Sequence, residues 1–171
     1  MVVLAIVLFA LDAAIATTPE RTANNGNVTL SGIPVIPPEL GRSLARYQNV
    51  RGASFRGWTA DSKGIYISTR FGEVSQLHRV DMPLGARNQL TFFDEPVGQV
   101  TRKPNESVIA ITMDEGGNEF AQIFLFDLKK GETRRLSDGY SRNGGLVWSD
   151  DGRMLAYRST RRNGRSNDVW V

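Results

Sequence analysis

The sequence predicts an all-β protein, and three features of the chain support this fold class. Short runs of β-branched, aromatic and aliphatic residues follow one another from Ser54 onward. Turn residues separate these runs at intervals of about 8 to 12 positions, as expected for successive β-strands. Similar residue types also recur at a nearly constant spacing along the chain. The clearest turns are Asp61–Gly64, Asp114–Asn118, Lys129–Glu132, Asp150–Gly152 and Arg162–Gly164.

The recurring spacing is 46 residues in the best-aligned part of the chain. Gln76–Asp81 aligns with Gln122–Asp127, and their last residues differ by 46 (127 minus 81). The same shift carries Leu77 to Ile123 and then to Val169, all of which are apolar. We therefore predict that these segments are equivalent strands of three successive units.

A second alignment marks the turn between the first two strands of each unit. Trp58–Asp61 matches Trp148–Asp151, and Arg102–Asn105 lies between them at shifts of 44 (102 minus 58) and 46 (148 minus 102). An apolar strand follows each of these turns. Near the end of the unit, Leu90–Thr91 maps onto Leu136–Ser137 at the shift of 46. Each unit is thus predicted to contain four strands.

A period in the forties with four strands per unit is typical of a β-propeller blade. A β-sandwich also has regular short strands, but it gives no reason for three aligned copies. We predict an incomplete β-propeller of about two and a half four-stranded blades, over residues 54–93, 97–138 and 144–171. The third blade stops inside its third strand, and propellers close with about four to eight blades. The chain is therefore expected to be truncated.

The first 16 residues have the layout of a secretory signal. An unbroken apolar run over Val2–Leu11 is followed by the small-x-small triplet Ala14–Ala16, where we place the cleavage site. The run is shorter than the ~20 apolar residues of a membrane span, and Asp12 interrupts it. The sequence therefore predicts a periplasmic or secreted protein with no membrane span after cleavage.

Residues 17–53 are predicted to form a leader before the first blade. Its first half is rich in Thr, Asn and Gly and is expected to be flexible, and an extended proline-rich segment follows. Pro38 suits the first position of a helix. Leu40, Leu44 and Tyr47 then fall at helical spacing, which predicts a short helix with one apolar stripe.

Composition excludes several classes of function. The chain has no cysteine and a single histidine, so disulfides, Cys-based zinc sites, thiol catalysis and multi-histidine metal sites are excluded. The net charge is only +3 and the basic residues are scattered along the chain, which argues against nucleic-acid binding. Four arginines surround Asn163 and Gly164, and we interpret them as part of a solvated hairpin loop. They are Arg158, Arg161, Arg162 and Arg165.

No catalytic residue is predicted. The chain lacks a Gly-x-Ser-x-Gly nucleophile elbow, and the nearest string, Gly139–Gly144, has the wrong spacing. Ser141 in that string is interpreted as a residue of the loop between blades. His78 could belong to a catalytic triad, but it occupies the repeat position of Phe124 and Trp170. We therefore predict that it packs as a flat ring on a sheet.

No metal or cofactor site is predicted either. Hard oxygen ligands of the kind that bind calcium crowd one loop, but their spacing matches no known calcium motif and suits an ordinary hairpin. These residues are Asp114, Glu115, Asn118 and Glu119. Trp58 and Trp148 share one repeat position and are predicted to fill the core between sheets. The turn residues Asp61, Asn105 and Asp151 are expected to hydrogen-bond the backbone of their turns.

Six longer segments, within and between the repeats, resemble segments of a known protein family, and we call them strings. They are Arg46–Arg51, Ser68–Gly72, Gln76–Val80, Gln89–Phe93, Gly116–Phe120 and Ser141–Gly145. In these strings the chain resembles the propeller of bacterial serine peptidases of the prolyl oligopeptidase family, from about Ile33 onward. Trp148–Arg153 is similar to the Trp-Ser-Pro-Asp-Gly-Arg blade motif of TolB-type propellers, with Asp150 in place of the proline.

The resemblance implies a function in combination with other domains. In such peptidases the propeller precedes an α/β-hydrolase domain with the catalytic Ser, Asp and His, covers that active site, and restricts entry to peptides or small substrates. The chain is therefore expected to be no enzyme by itself and to need no cofactor. Its expected partners are the missing hydrolase domain, the remaining blades and peptides. Two alternatives stay open: a TolB-like exported propeller that binds proteins, and a non-functional remnant of a truncated gene.

Overall fold

Residues 19–171 are described by the structure, a computed structural model, and they form four antiparallel sheets and one helix. The signal-peptide prediction for residues 1–16 lies outside the described residues. A two-stranded hairpin and the helix come first along the chain. They are β1 (Arg21–Ala23), β2 (Val28–Leu30) and α1 (Pro38–Gln48).

Three larger sheets follow, and in each of them consecutive strands pair antiparallel with their neighbours. The first sheet contains β3 (Ala53–Trp58), β4 (Ile65–Thr69), β5 (Gln76–Val80) and β6 (Asn88–Gln89). The second contains β7 (Val100–Arg102), β8 (Val108–Met113), β9 (Gln122–Asp127) and β10 (Thr133–Arg135). The third contains β11 (Asn143–Trp148), β12 (Leu155–Ser159) and β13 (Asp168–Trp170). The predicted all-β class is confirmed.

The middle strands of the second sheet are buried on both faces. Ile109, Ala110 and Ile111 on β8 have no exposed surface, and neither does Ile123 on β9. Such strands lose the alternation of apolar and polar residues, because neighbouring layers cover both of their faces. The nearly continuous apolar composition of β8 and β9 follows from this position in the middle of the molecule.

The three sheets pack one after another through two apolar clusters. The cluster between the first and second sheets contains Tyr66, Leu77, Ile109, Ile111 and Phe126. The first strands of successive sheets also touch, since β3 contacts β7 and β7 contacts β11. Over residues 19–171 the first and third sheets share no contact, so these sheets do not close into a ring. The cluster between the second and third sheets contains Ala110, Ile123, Leu146 and Leu155.

The turn between the first two strands has the same hydrogen bonds in the first and third sheets. The Thr59 hydroxyl donates to the Asp61 carboxylate at 2.5 Å, and the Ser149 hydroxyl donates to Asp151 at 2.6 Å. The Ser149 hydroxyl, followed by the backbone and side chain of Arg153, lowers the pKa of Asp151 to about 2. Asp61 also accepts from the backbone N–H of Lys63 at 3.2 Å and Asp151 from that of Arg153 at 3.0 Å, so the predicted backbone hydrogen bonds of both aspartates are confirmed.

The corresponding turn of the second sheet shares the backbone bond of the other two but has no such side-chain bond among the described residues. Asn105 takes a left-handed φ of 58°, which asparagine tolerates better than most residues. The backbone N–H of Lys103 donates to the carbonyl of Val108 at 2.8 Å, and bonds at the equivalent positions close the turns of the first and third sheets at 2.9 Å. The hydrogen-bonding role predicted for Asn105 is therefore replaced by a conformational one.

The hairpin β1–β2 was not predicted, because its composition is that of a flexible linker. Asn24 and Asn25 adopt φ values of 50° and 53°, the left-handed conformation that lets the chain reverse. The side-chain amide of Asn27 then donates to the carbonyl of Gly116 at 2.9 Å. This bond attaches the hairpin to the β8–β9 loop, a contact that local sequence does not reveal.

The helix begins at Pro38, as the sequence predicts, and ends at Gln48. Its apolar stripe of Leu40, Leu44 and Tyr47 is exposed, and none of the helix residues is buried. Within residues 19–171 no helix has the length and apolar character needed to cross a membrane.

The prediction that both repeat tryptophans fill the core is wrong for Trp58. Trp148 packs in the cluster between the second and third sheets, with the Lys103 ammonium 5.5 Å from its ring centroid. Trp58 is 60% exposed, and its ring packs edge-on against that of Phe55, with 5.9 Å between the ring centroids. The two differ because Trp148 packs toward the second sheet, whereas among residues 19–171 no sheet packs on the corresponding side of the first sheet.

Candidate functional site

A recess of about 670 Å³ opens at the loop ends where the second and third sheets meet. Its walls come from three separate parts of the chain: the β8–β9 loop, the segment entering β11, and the end of β12 with its following loop. The main lining residues are Phe120, Arg142, Asn143, Arg158, Thr160 and Arg165. Such concave sites between packed elements are where ligand-binding groups usually converge.

The backbone around Arg142 is held firmly at the mouth of the recess. The side-chain amide of Asn143 donates to the carbonyls of Ala121 and Ser141 at 2.9 and 2.8 Å. The Arg142 backbone N–H donates to the Thr160 hydroxyl at 3.1 Å. These bonds join the loops of two sheets, so the position of Arg142 depends on their packing.

The recess is electropositive. Arg142, Arg158 and Arg165 line it together with a single acidic residue, Glu119. Over residues 19–171 none of these three arginines forms an ion pair. The Arg142 guanidinium lies 4.8 Å from the ring centroid of Phe120, which orients it without neutralising it. Because guanidinium groups bind carboxylates through two parallel hydrogen bonds, this arrangement suits an anionic ligand.

The four arginines predicted to surround a solvated loop have separate contacts. A hairpin does join β12 to β13 through Asn163 and Gly164, and its residues are exposed. Arg162 forms an ion pair with Asp168, with 2.6 Å between Nε and Oδ2, and Arg161 lies 4.4 Å from the Trp170 ring centroid. The remaining two, Arg158 and Arg165, line the recess. Their convergence with Arg142 could not be seen in sequence, because it depends on how β12 and the β10–β11 loop lie together.

Ser141 and His78 lie in different parts of the fold. Ser141 is buried in the loop between β10 and β11, and its hydroxyl donates to the Asp138 carboxylate at 2.5 Å. No hydrogen bond joins it to His78 in the part of the chain that the structure describes. The two residues that came closest to catalytic motifs in sequence are thus not assembled into one site.

Side-chain oxygens of the acidic β8–β9 loop accept hydrogen bonds from the backbone of the same loop. The Asp114 carboxylate accepts a hydrogen bond from the N–H of Glu119 at 3.1 Å, and the Asn118 side chain accepts one from Phe120 at 2.9 Å. Glu115 lies 4.0 Å from Arg135. Among the described residues no group of three or more His, Cys, Asp or Glu side chains is placed to hold a metal ion.

His78 is fully buried in the first sheet, opposite Ile67 on β4 and Gln89 on β6. Its Nδ1 lies 3.0 Å from the carbonyl of Gln76, and its ring centroid is 5.2 Å from that of Phe71. Nε2 has no hydrogen-bond partner among residues 19–171. Burial of the ring disfavours the charged form and lowers the pKa of His78 below its ordinary value of 6.5.

The buried imidazole predicts a loss of stability in mild acid. With the folded pKa depressed, the unfolded chain binds the proton first, so stability falls as pH drops below about 6.5. The variant His78→Phe introduces the residue found at the equivalent position 124. It is expected to be at least as stable as the unchanged chain at about pH 8, and to lose less stability than that chain between about pH 8 and 5. Urea midpoints of both proteins across this range check the prediction. Because His78 is the only histidine, equal losses in both proteins would contradict it.

Two glutamines that sequence analysis did not single out organise the junctions between sheets. The Gln122 amide donates to the carbonyls of Phe120 and Ser141 at 2.7 and 2.8 Å. Its oxygen accepts from the Ser137 hydroxyl at 2.7 Å and from the Gly139 N–H at 2.9 Å. Gln122 therefore ties the loop that leads into β11 to the start of β9, directly behind the recess.

Gln76 makes the same kind of network one repeat earlier. Its amide donates to the carbonyls of Phe93 and Glu95, and its oxygen accepts from the Thr91 hydroxyl at 2.8 Å. The sequence did contain a signal for these networks, because Gln76 and Gln122 are identical residues separated by the shift of 46 (122 minus 76). The repeat therefore preserves a device that connects each sheet to the next.

No protein-family model matches the chain, and no curated protein sequence matches it. The fold and the site define the chain as a tandem repeat of antiparallel sheets with an arginine-lined recess at one junction.

Proposed function

We propose that the chain is a non-catalytic propeller portion of an exported serine peptidase, and that it restricts the access of peptides to an α/β-hydrolase domain. The observation that carries this proposal is the repeated packing of the three sheets. Their first strands lie side by side in the order β3, β7, β11. In a propeller the sheets are placed radially around a central channel, and such contacts between first strands are expected nearest the axis.

The recess supports a role in contact with peptides. Three arginines without ion pairs at the loop ends attract the carboxylates of a peptide, either at its C-terminus or on acidic side chains. A site of this kind selects and orients peptides without performing chemistry on them. The function proposed for the recess is therefore recognition on the path to a catalytic domain.

Two of the six sequence strings that resemble the prolyl oligopeptidase family lie at this junction. Ser141–Gly145 enters β11 at the recess, and Gly116–Phe120 forms the β8–β9 loop beside it. The backbone N–H of Gly145 donates to the side-chain oxygen of Gln99 at 2.9 Å, which links β11 to the segment before β7. These two strings thus lie beside the recess, one in the β8–β9 loop and the other at the start of β11.

We also propose export to the periplasm or the medium, with cleavage after Ala16. The apolar run and the small-x-small triplet of residues 1–16 support this location.

The peptidase assignment is tested with a fluorophosphonate probe, which labels activated serines covalently. The 171-residue chain alone is expected to remain unlabelled, because no serine in it lies in a nucleophile elbow. Antibodies raised against the chain are expected to capture, from the source cells, a polypeptide larger than 18.9 kDa that the probe does label.

Ser141→Ala serves as the control and is expected to match the unchanged chain in background labelling. Labelling of the chain that disappears in this variant would overturn the non-catalytic assignment. A captured protein that never labels would instead favour the protein-binding module.

A further inference from the structure

A second recess, of about 550 Å³, opens where the first and second sheets meet, one junction before the recess described above. Its walls come from the segment that enters β3, the first two strands of the first sheet with the loop after them, and the connection to β7. It therefore lies between two sheets that pack together. The polar side chains that line it are Ser54, Arg56, Ser68, Arg70 and Ser75.

This second recess is cationic. Arg56 and Arg70 line it, and no acidic residue does. Over residues 19–171 neither arginine forms an ion pair. The Arg70 guanidinium donates a hydrogen bond to the carbonyl of Gln48, which leaves most of its five N–H donors for other acceptors. Two guanidinium groups without an acidic neighbour in one concave site attract an anion.

Arg56 is a departure from the repeat that packing alone does not explain. At the same place the second sheet has Val100 (56 plus 44) and the third has Leu146 (100 plus 46), both of which are apolar. Arg56 is half-buried, and its Nε is covered by protein but has no hydrogen-bond partner among residues 19–171. Such groups are uncommon, because a buried donor without a partner costs free energy. The arginine is therefore expected to have a function in the recess.

Two paired serines add hydroxyl groups to the same recess. Ser54 on β3 pairs directly with Ser68 on β4, so their side chains are neighbours on one face of the sheet. At the place of Ser54 the other two sheets have Gly98 (54 plus 44) and Gly144 (98 plus 46). A serine hydroxyl can rotate to donate to an acceptor. The first sheet thus supplies two adjustable donors, and the one on β3 is specific to this sheet.

Hydrogen bonds hold the walls of the recess in place. The Val97 N–H donates to the Ser75 carbonyl at 2.9 Å, which fixes the connection between the two sheets. The Thr69 hydroxyl donates to the carbonyl of Gly52 at 2.8 Å, which fixes the segment that enters β3. Binding therefore need not order these segments, and a ligand loses little affinity to that cost.

We propose that this recess binds a small organic carboxylate. A guanidinium group binds a carboxylate through two parallel hydrogen bonds, and the volume is typical of small-molecule sites. The rest of the lining is apolar and is formed by Val50, Pro96 and Val97. A ligand with a carboxylate and a short apolar group matches both parts of the lining, whereas a free inorganic anion matches only one.

The C-terminal residue of a peptide belongs to this class of ligand. The proposal nevertheless rests on the chemistry of the recess and does not depend on the peptidase assignment. Its failure would leave the fluorophosphonate labelling unaffected, so the two failures are distinguishable.

The test titrates the isotope-labelled full chain with N-acetyl-leucine and follows the amide chemical shifts by NMR. The acid is expected to shift the amides of Ser54, Ser68 and Ser75. Its uncharged analogue, N-acetyl-leucinamide, is expected to bind about tenfold more weakly, because it lacks the charge that the guanidinium groups recognise. Inorganic phosphate is expected to bind these amides more weakly than the acid, because it has no apolar group.

Three variants assign the binding to this recess. Arg56→Gln is expected to lower the affinity for N-acetyl-leucine by about tenfold, since it removes a charged donor. Ser54→Ala, at an exposed position that the fold does not need, is expected to lower the affinity by about threefold. Arg42→Gln on the exposed helix is the matched control and should bind like the unchanged chain. Urea midpoints check that each variant folds, and Ser54→Ala decides if Arg56→Gln does not.

Several results would overturn the proposal. They are the absence of shifts at the three serine amides, an affinity that the folded variants leave unchanged, and an amide analogue that binds as tightly as the acid. Tighter binding of phosphate than of the acid at these amides would also overturn it, since the ligand would then not be an organic carboxylate.

Discussion

Replacing Gln122 with leucine is expected to lower the free energy of unfolding by about 3 kcal/mol or more. The side chain is almost fully buried and makes four hydrogen bonds, three to the loop that leads into the third sheet and one to the carbonyl of Phe120 before β9. Leucine fills a similar volume but removes the partner of the Phe120 carbonyl, the Ser137 hydroxyl and the Gly139 N–H, and leaves the Ser141 carbonyl with the Asn143 amide alone. Buried polar groups that lose their partners cost more than the net value of the bonds themselves. Urea denaturation followed by circular dichroism measures the change.

The matched control is the same substitution at Gln48. That residue lies on the exposed helix α1, so Gln48→Leu is expected to change the free energy of unfolding by less than about 0.5 kcal/mol. Gln76→Leu should behave like Gln122→Leu, because Gln76 makes the equivalent network in the first sheet. Equal effects at Gln48 and Gln122 would show that the network contributes nothing.

Ile123→Ala is expected to cost about 3 kcal/mol, because it opens a cavity between the second and third sheets. Ile123 has no exposed surface and packs with Ala110, Leu146 and Leu155. The loss combines the transfer free energy of the deleted groups with the cost of the space that they leave. The measurement is again a urea titration.

Val169→Ala provides a control at the same position of the next repeat (123 plus 46). Val169 is 79% exposed, so the substitution is expected to change the free energy of unfolding by less than about 0.5 kcal/mol. The two strands have the same place in their sheets and differ in whether another sheet covers them. If both alanine variants lost similar stability, the burial of Ile123 between two sheets would be contradicted.

Most strands of the fold could be predicted from the sequence, because their signals are local. Turn residues such as those of Asp61–Gly64 close a reversal within a few positions, whatever lies elsewhere in the chain. The helix start at Pro38 is local in the same sense, since proline fits the first helical turn. The hairpin β1–β2 was missed because Asn27 is held by Gly116, a contact between distant parts of the chain.

The candidate site could not be predicted in the same way. Arg158 and Arg165 were interpreted as part of a solvated loop, and nothing near them in sequence indicates a recess. Phe120 and Arg142 complete it from other parts of the chain. A site whose walls come from two sheets exists only once those sheets pack together, and Gln122 holds the connection between them.

The sequence by itself determined the repeat, the order of the strands and the positions of the turns, because alternation and turn chemistry act over a few residues. Only the tertiary structure decided which copies of a repeated residue are buried. Trp58 and Trp148 share one repeat position, as do Ile123 and Val169, yet one member of each pair is exposed. The physical reason is that burial belongs to the space between two sheets. Equivalent residues are therefore covered only where a neighbouring sheet is present.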